Sequence, residues 1–283
     1  STRDWSSDVC SSDLERAMGR ILLSVLIAVG VFAGTALNDS TTTAAENQPG
    51  DVWKEPFTGM EFTWVPPGCF VMGNHKGDAD EKPAHEVCVA GFWLGKYEVT
   101  QAEWAKAIGG VQSWHITRGE RFPVQGTQYV DTQSFIGVLN AKGSSKFRLP
   151  TEAEWEYACR SGGKPESFCG GSDVDRVAWH RDNRVDGNLT NQVGMKEPNG
   201  LGIFDMSGNV AEWVSDWYAE DYYAGSPRDN PKGPPSGRAH VVRGGGWIDE
   251  ARLLGSAVRA QGKAKTISTK LLIRGFRLAR DAE

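Results

Sequence analysis

The stretch Gly200–Tyr218, which reads GLGIFDMSGNVAEWVSDWY, constrains the fold more than any other part of the chain. It sets Asp205, Asn209, Glu212 and Asp216 among large apolar residues, and its Ser-Gly-Asn tripeptide predicts a tight turn. Strict alternation after that turn would put Glu212 and Asp216 on one face of a strand. Neighbouring carboxylates repel unless a proton, a basic side chain or a hard cation lies between them, and oxygen ligands on a turn suit Ca²⁺. The stretch therefore predicts either a cation site or a core strand whose acids are hydrogen-bonded to turn amides.

Composition limits the class of protein. With 283 residues and 39% hydrophobic content, the chain can bury a substantial core in one large domain or two. Its 11 Trp and 34 Gly indicate an aromatic-rich fold with many turns and little regular secondary structure. The net charge of −5 argues against a nucleic-acid partner, because nucleic-acid binding needs a basic surface.

The N-terminal region divides into three segments before the predicted folded domain, 57–283. Residues 1–17 contain the near-repeat WSSDV and CSSDL, which resembles translated adaptor sequence, and we interpret them as a non-native preamble. Residues 18–36 combine a positive charge, an apolar stretch and small residues, which predicts a signal peptide and export to the periplasm or the cell exterior. An uncleaved membrane anchor is the alternative, and it would be the only membrane contact. Residues 37–56 are polar and small, which predicts a flexible linker.

Cysteine usage is consistent with export. With Cys10 set aside, Cys69, Cys88, Cys159 and Cys169 remain, an even number that predicts two disulfides in an oxidising compartment. Four cysteines allow three pairings, and we favour Cys69–Cys88 with Cys159–Cys169 because each closes a short loop. No CxxC occurs and no histidines fall at ligand spacing, so we expect no transition-metal site from these residues.

Two capping boxes predict the positions of two helices. Thr100 is followed three residues later by Glu103, and Thr151 by Glu154, and each box is followed at once by a tryptophan. In such a box the threonine hydroxyl accepts a hydrogen bond from the backbone amide of the glutamate, and the glutamate carboxylate accepts one from the backbone amide of the threonine. Both amides would otherwise lack a partner at the start of the helix. A third helix is predicted over 131–140.

Five stretches in fixed order resemble the formylglycine-generating enzyme, or sulfatase-modifying-factor, family. They are FTWVPPGCFVMGN, GFWLGKYEVTQAEW, RLPTEAEWEYA, NGLGIFDMSGNVAEWVSDWY, and VVRGGGW followed by RGFRLAR. They cover about residues 57–283. The resemblance implies an α+β fold, a formylglycine-generating-enzyme-like variant of the C-type lectin fold. It implies little regular secondary structure, with the two capped helices around small twisted antiparallel sheets.

The resemblance also implies a structural calcium site. The family's ligands fall here on the Asp205 carboxylate, the carbonyl groups of Gly208 and Val210, and the Glu212 carboxylate. All four are hard oxygen donors of the kind that Ca²⁺ binds. We therefore expect Ca²⁺ as a structural cofactor at this turn.

The sequence departs from the family at its reactive centre. Family oxidases convert a substrate cysteine to formylglycine, an aldehyde, and use two cysteines of their own to bind copper and activate oxygen. Here Asp249 and Leu254 stand at those two positions, and no cysteine follows Cys169. Neither residue can replace a thiolate as a soft ligand of copper, so we expect no copper and leave the catalytic residues unassigned. Asp249 and Glu250 could act as acid/base groups, although lone carboxylates on a loop are more often simply exposed.

Two functional hypotheses follow. In the first, the chain is an exported family protein that acts on or binds a partner protein or peptide without copper oxidase activity. In the second, it is a non-catalytic, calcium-stabilised, lectin-like binding module that presents a basic C-terminal loop to an anionic peptide or glycan. Residues 251–274 contain six basic residues and no acid. The candidate ligand-binding residues are Trp247, Arg252, Arg259 and Lys263. The alternative is that the basic loop is simply solvent-exposed and balances the charge of acidic residues nearby.

Overall fold

The computed structural model describes residues 47–110, 117, 119–143, 145–185, 189–262 and 272–282. The strands in these residues are β1 (Val52–Lys54), β2 (Glu61–Val65), β3 (Gly68–Met72), β4 (His85–Val89), β5 (Phe92–Gly95), β6 (Phe147–Arg148), β7 (Ala211–Trp217), β8 (His240–Arg243), β9 (Arg259–Gly262), β10 (Arg274–Gly275) and β11 (Ala279–Asp281). The helices are α1 (Gln101–Ile108), α2 (Tyr129–Lys142), α3 (Glu152–Cys159) and α4 (Val174–Val177), with short 3-10 turns at Ala79–Glu81, Tyr222–Gly225 and Ala251–Leu254. Long irregular segments join these short elements, which confirms a mixed α+β fold with little regular secondary structure.

Local sequence determines where two of the helices begin. At α1 the Thr100 hydroxyl accepts a hydrogen bond from the Glu103 amide at 3.4 Å, and the Glu103 carboxylate accepts one from the Thr100 amide at 2.8 Å. Thr151 and Glu154 make the same pair of bonds at α3, at 3.1 and 2.8 Å. Both capped helices are therefore confirmed, and the tryptophan after each box is buried. The third predicted helix is also present and extends over Tyr129–Lys142.

The fold begins inside the segment predicted to be a linker. β1 pairs antiparallel with β2, with Trp53 opposite Phe62. The Trp53 ring lies 5.5 Å from Phe62 and 6.3 Å from Phe147, centroid to centroid. The prediction of a flexible linker over 37–56 is corrected for its end, because the packed indole fixes the chain from β1 onward. Residues 37–46 lie outside the described residues. A three-residue strand at a sheet edge is too short to show periodicity in the sequence.

The other N-terminal predictions lie outside the described residues, namely the preamble 1–17 and the signal peptide 18–36. Within the part of the chain that the structure describes, no helix is both long and apolar enough to cross a bilayer. The two disulfides described below are typical of an oxidising compartment.

The C-terminal strands complete two separate sheets. The first sheet has the order β1-β2-β5-β11-β6, and the second has the order β10-β7-β8-β9 with β10 parallel to β7. A third, two-stranded sheet pairs β3 with β4. Because β10 belongs to the second sheet and β11 to the first, residues 276–278 cross between them. Arg277 lies on this crossing and is fully buried.

β7 is packed on both faces, because it lies inside the second sheet between two cores. Trp213 belongs to one hydrophobic cluster and Val214 to the other, and both are 0% exposed. A register shift against β8 between Trp213 and Trp217 interrupts the simple alternation expected from the sequence. The two acids of β7, Glu212 and Asp216, have different partners. Asp216 accepts a hydrogen bond at 2.9 Å from the backbone amide of Glu152, the first residue of α3.

Two disulfides join the pairs favoured from the sequence. Cys69 and Cys88 lie directly opposite each other in the β3–β4 pair. The second disulfide ties Cys159, the last residue of α3, to Cys169 in the irregular segment that follows. Both predicted pairings are confirmed.

Candidate functional site

The turn before β7 connects three distant segments of the chain. Gly208 has a φ of +85°, and a Cβ there would lie 2.2 Å from the Trp179 carbonyl oxygen, so only glycine fits. The next amide, from Asn209, donates to the Trp179 carbonyl, and the Asn209 carbonyl accepts from the Trp247 amide, each at 2.9 Å. The Asn209 side chain donates to the Glu98 carboxylate at 2.7 Å. The turn is therefore held in place from several sides at once.

A buried arginine neutralises the acid at the start of β7. Glu212 is 1% exposed, and Arg277 donates to both of its oxygens through Nε, at 2.9 and 2.7 Å, and to Oε1 through Nη2 at 2.7 Å. The Trp155 indole donates to Oε2 at 2.8 Å. A carboxylate offers about four lone-pair positions, and these contacts occupy them. The remaining Arg277 donors bind the carbonyl oxygens of Gly95 and Phe204 at 2.9 and 2.8 Å.

Two further buried carboxylates surround this ion pair. Burial raises the pKa of Glu98 well above its usual value, and the charges of Asp205 and Glu212 raise it further, whereas Arg277 lowers it. Burial also raises the pKa of Asp205, to about 6, although the Gly194 amide donates to its Oδ2 at 2.6 Å. The other Asp205 oxygen, Oδ1, is buried and accepts no hydrogen bond from the residues that the structure describes. Three buried carboxylates thus lie around one guanidinium, and burial favours the protonated form of two of them, Glu98 and Asp205.

Two of the predicted calcium ligands, the carboxylates of Asp205 and Glu212, belong to this cluster. The Asp205 Oδ1 oxygen could serve as a ligand for a cation. The Glu212 oxygens could do so only by sharing or releasing their hydrogen bonds with Arg277. In the described residues, no three His, Cys, Asp or Glu side chains form a group that could hold a metal ion. The predicted set is of another kind, because it relies on the carbonyl groups of Gly208 and Val210 as well as on two carboxylates. Calcium at this turn stays a prediction.

A cleft of about 550 Å³ lies against β7, β8 and β9. Its lining includes small apolar side chains from the sheet, among them Ala211, Val242 and Ala260. It also includes five polar or charged side chains, which are Tyr218, Asp249, Arg259, Gln261 and Arg274. Its volume and mixed lining are typical of ligand-binding clefts in proteins. The Tyr218 hydroxyl donates to Asp80 at 2.7 Å, which fixes one part of the wall.

The two positions where the family carries its copper ligands have different surroundings. Asp249 lines the cleft and accepts a hydrogen bond from the Gly246 amide at 3.0 Å. Leu254 is 0% exposed and packs in an apolar cluster with Val177 and Ala178. A hard carboxylate and a hydrocarbon do not fit Cu(I), which selects thiolate ligands. The four cysteines that the structure describes are all held in disulfides, so they supply no thiolate either.

The candidate ligand-binding residues do not form one exposed basic surface. Trp247 is buried at 6% exposure, and the Arg259 side chain is 0% exposed because both Glu152 oxygens bind it, at 2.7 and 2.9 Å. The expectation that Arg259 belongs to an exposed loop is corrected, because it lies in β9, although it still contributes to the cleft lining. Ligand binding by Trp247 and Arg259 stays a prediction. The Arg252 side chain is 72% exposed and pairs with a neighbouring glutamate, whereas Lys263 lies outside the described residues.

Sequence reasoning missed the ionic network behind the cleft. Arg243 in β8 is bound to Glu156 and lies 3.7 Å from Glu152, both of which are in α3. Glu156 also binds Arg160, and Glu152 binds Arg259 in β9. The network joins α3 to the two strands that form the cleft wall. No local signal reveals it, because Glu152 and Arg259 are 107 residues apart in the chain.

Known proteins share this fold and sequence pattern. Residues 48–282 match the family described as the sulfatase-modifying factor enzyme 1-like domain, FGE-sulfatase. A formylglycine-generating enzyme of Thermomonospora curvata is 34% identical over 284 residues, covering 77% of this chain and 92% of that protein. The serine/threonine-protein kinase Pkn1 of Chlamydia trachomatis is 31% identical over 244 residues, and the match covers 79% of this chain but only 38% of that much longer protein. The structure of PvdO from Pseudomonas aeruginosa superposes with a TM-score of 0.73 at 27% identity, covering 84% of this chain and 100% of that one. The chain therefore belongs to the sulfatase-modifying factor, or FGE-sulfatase, domain family.

Proposed function

We propose that this chain is an exported sulfatase-modifying-factor domain that binds an extended segment of a partner protein without oxidising it through copper. The observation that carries the proposal is the combination of a formed cleft with a reactive centre that lacks thiolates. Asp249 lines that cleft, and Leu254 is sealed in an apolar cluster. Binding needs only the cleft, whereas copper oxidation needs ligands that these positions do not provide.

The strand at the edge of the cleft suits an extended peptide. Among the described strands, β9 is the last of the second sheet, and its middle residues, Ala260 and Gln261, are exposed and line the cleft. An extended peptide can add to such an edge through backbone hydrogen bonds, while pockets beside the strand receive alternate side chains. The apolar residues of the sheet would then contact the peptide, and the polar groups would fix its register.

A second candidate function is favoured by one specific observation. The buried Asp205 Oδ1 has no hydrogen-bond partner among the described residues, which supports a cation at this turn. The candidate is a calcium-stabilised, lectin-like binding module whose ligand is an anionic peptide or glycan. In this candidate, calcium holds the turn before β7 and has no catalytic role. The two candidates share the cleft and differ in ligand class and in calcium dependence.

The experiment is a selection of binding peptides with a variant that blocks the cleft. A phage-displayed library of random octapeptides is selected on the immobilised protein, on Ala260→Trp, and on Val71→Trp as a matched control. Val71 is 60% exposed on β3 and does not line the cleft, so its replacement adds the same bulk elsewhere. Melting temperatures confirm that both variants fold.

We expect convergent peptides on the parent protein and on Val71→Trp, and none on Ala260→Trp. Peptides that bind Ala260→Trp equally well would place binding outside the cleft. A selection that yields no convergent peptide would refute peptide binding.

A further inference from the structure

We propose that the Cys69–Cys88 disulfide is a site of thiol–disulfide exchange that takes two electrons from the dithiol of a partner protein. The inference is independent of peptide binding, because neither cysteine lines the cleft. It gives the two described disulfides different roles, one reactive and one structural.

The two disulfides differ in their access to solvent. Cys159 and Cys169 are 0% and 4% exposed and belong to a hydrophobic cluster. Cys69 is exposed on β3, and Cys88, directly opposite it on β4, is partly exposed. Exchange begins when an attacking thiolate reaches a sulfur atom, so access favours the Cys69–Cys88 disulfide.

The β3–β4 pair is also held by contacts that do not involve its disulfide. Five residue pairs join the two strands along their length. Alternation puts both cysteines on the outer face and four apolar residues on the inner face. The inner residues, all at most 5% exposed, are Phe70, Met72, Val87 and Val89. Opening the disulfide therefore removes a covalent tie but leaves the buried face and the strand pairing in place.

A neighbouring arginine makes one of the two sulfur atoms the better leaving group. The Arg228 carbonyl oxygen accepts from the Cys88 amide at 2.8 Å, which places Arg228 beside β4. Its Nη2 donates to Cys69 Sγ at 3.8 Å, and its bonds to Glu86 and Asp229 hold the side chain in position. A cationic side chain beside a cysteine stabilises the thiolate. Attack at Cys88, which releases Cys69 as a thiolate, is therefore favoured.

Exchange at this site transfers two electrons in two steps. A thiolate of the donor attacks Cys88 Sγ, a mixed disulfide forms, and the Cys69–Cys88 bond breaks. The Cys69 thiolate leaves and takes a proton from solvent. The second thiolate of the donor then attacks the donor sulfur of the mixed disulfide and releases Cys88, which is protonated in turn. The donor dithiol is thereby oxidised to a disulfide, and the protein disulfide is reduced to two thiols.

Timed reduction followed by alkylation tests the inference. The protein is incubated in native buffer with thioredoxin, which its reductase keeps reduced, and in parallel with dithiothreitol. Samples are quenched with N-ethylmaleimide, and mass spectrometry quantifies the alkylated fraction of each cysteine. The proteins are the parent, Arg228→Gln, and Arg176→Gln as a matched control that removes another exposed arginine, one paired with Glu197.

We expect both reagents to reduce the exposed disulfide at least about tenfold faster than the buried one, because access controls the attack. Arg228→Gln should slow this reduction about two- to fivefold, and Arg176→Gln should match the parent. A brief exposure to glutathione, trapped at low conversion, should leave glutathione on Cys88 and a free thiol at Cys69. The double variant Cys69→Ala/Cys88→Ala should still unfold cooperatively in calorimetry, because the buried face of the β3–β4 pair is unchanged.

Four outcomes would overturn the inference. Equal reduction rates for the two disulfides would show that access does not distinguish them. Reduction by dithiothreitol but not by thioredoxin would exclude a protein donor. A double variant without a cooperative transition would make the disulfide structural. Arg228→Gln that reacts at the parent rate, with glutathione still on Cys88, would refute the directing role of Arg228.

Discussion

Replacement of Arg277 by methionine tests whether one buried cation holds the carboxylates around the β7 turn. The substitution keeps an unbranched side chain but removes three contacts with Glu212 and the donors to the carbonyl oxygens of Gly95 and Phe204. Among the described residues, Glu212 would keep only the Trp155 indole as its donor. The negative charge of the Glu212 carboxylate would then be buried without a neighbouring positive charge to balance it.

The expected loss is large. Removing one partner of a buried ion pair costs about 3–5 kcal/mol, and each buried carbonyl left without its donor costs about 1 kcal/mol or more. The sum, about 5–7 kcal/mol, is a large part of the roughly 5–15 kcal/mol that stabilises a typical domain. For a domain of this size about 1 kcal/mol shifts the melting temperature by roughly 2–4 °C, so we expect a fall of about 10–25 °C.

Urea unfolding and calorimetry measure this loss, and pH shows its cause. The loss should be greatest at neutral pH and shrink as pH falls below about 6, the value to which burial raises the pKa of Asp205. The sign follows because protonated carboxylates need no cation. The double variant Glu212→Gln/Arg277→Met should recover part of the stability, since it leaves no uncompensated charge at residue 212. A loss below about 1 kcal/mol, or a pH-independent loss without recovery in the double variant, would refute the reasoning.

Three other predictions concern the same turn and its strand. Burial raises the pKa of Asp216 to about 7. The unfolded chain therefore releases this proton at lower pH than the folded protein, and the stability of the parent relative to Asp216→Asn should fall by on the order of 4 kcal/mol from pH 4 to pH 8 in parallel urea titrations. A difference that does not change with pH would contradict the buried placement of Asp216. Calcium in excess over chelator should raise the melting temperature of the parent and not of Asp205→Ala, and equal shifts in both would exclude Asp205 as a ligand. Gly208→Ala should destabilise the protein by about 3 kcal/mol or more, because its Cβ would lie 2.2 Å from the Trp179 carbonyl oxygen, and a neutral effect in calorimetry would show that the turn is not held as described.

The parts of the fold that the sequence predicted are those determined by local chemistry. The helix starts at Thr100 and Thr151 follow from side chains three residues apart, and the structure contains both capping boxes. The two disulfides close loops of 19 and 10 residues, short enough for sequence proximity to favour them. The start of the fold at β1 was missed, because the burial of Trp53 depends on Phe147, far along the chain.

The candidate site was only partly predictable for the same reason. Charge balance required a proton, a basic side chain or a cation beside Glu212, but the residue that supplies the charge, Arg277, is 65 positions away. Arg259 resembled an exposed basic residue because no acid lies near it in sequence, whereas its partner is Glu152 in α3. Glu98 carried a signal that could have been used, since it is a single acid between Tyr97 and a buried valine, as unusual as the acids of the β7 turn.

The central proposal, that this domain binds a peptide in its cleft and does not oxidise it through copper, is tested most directly by an assay for aldehyde formation. The chain is incubated with copper, oxygen and a synthetic cysteine peptide that the Thermomonospora curvata enzyme converts, and the aldehyde is quantified by mass spectrometry. With residues 249 and 254 as aspartate and leucine, we expect no aldehyde above the peptide-only blank, while the Thermomonospora enzyme run in parallel produces it. Aldehyde formed by this chain with turnover would contradict the account.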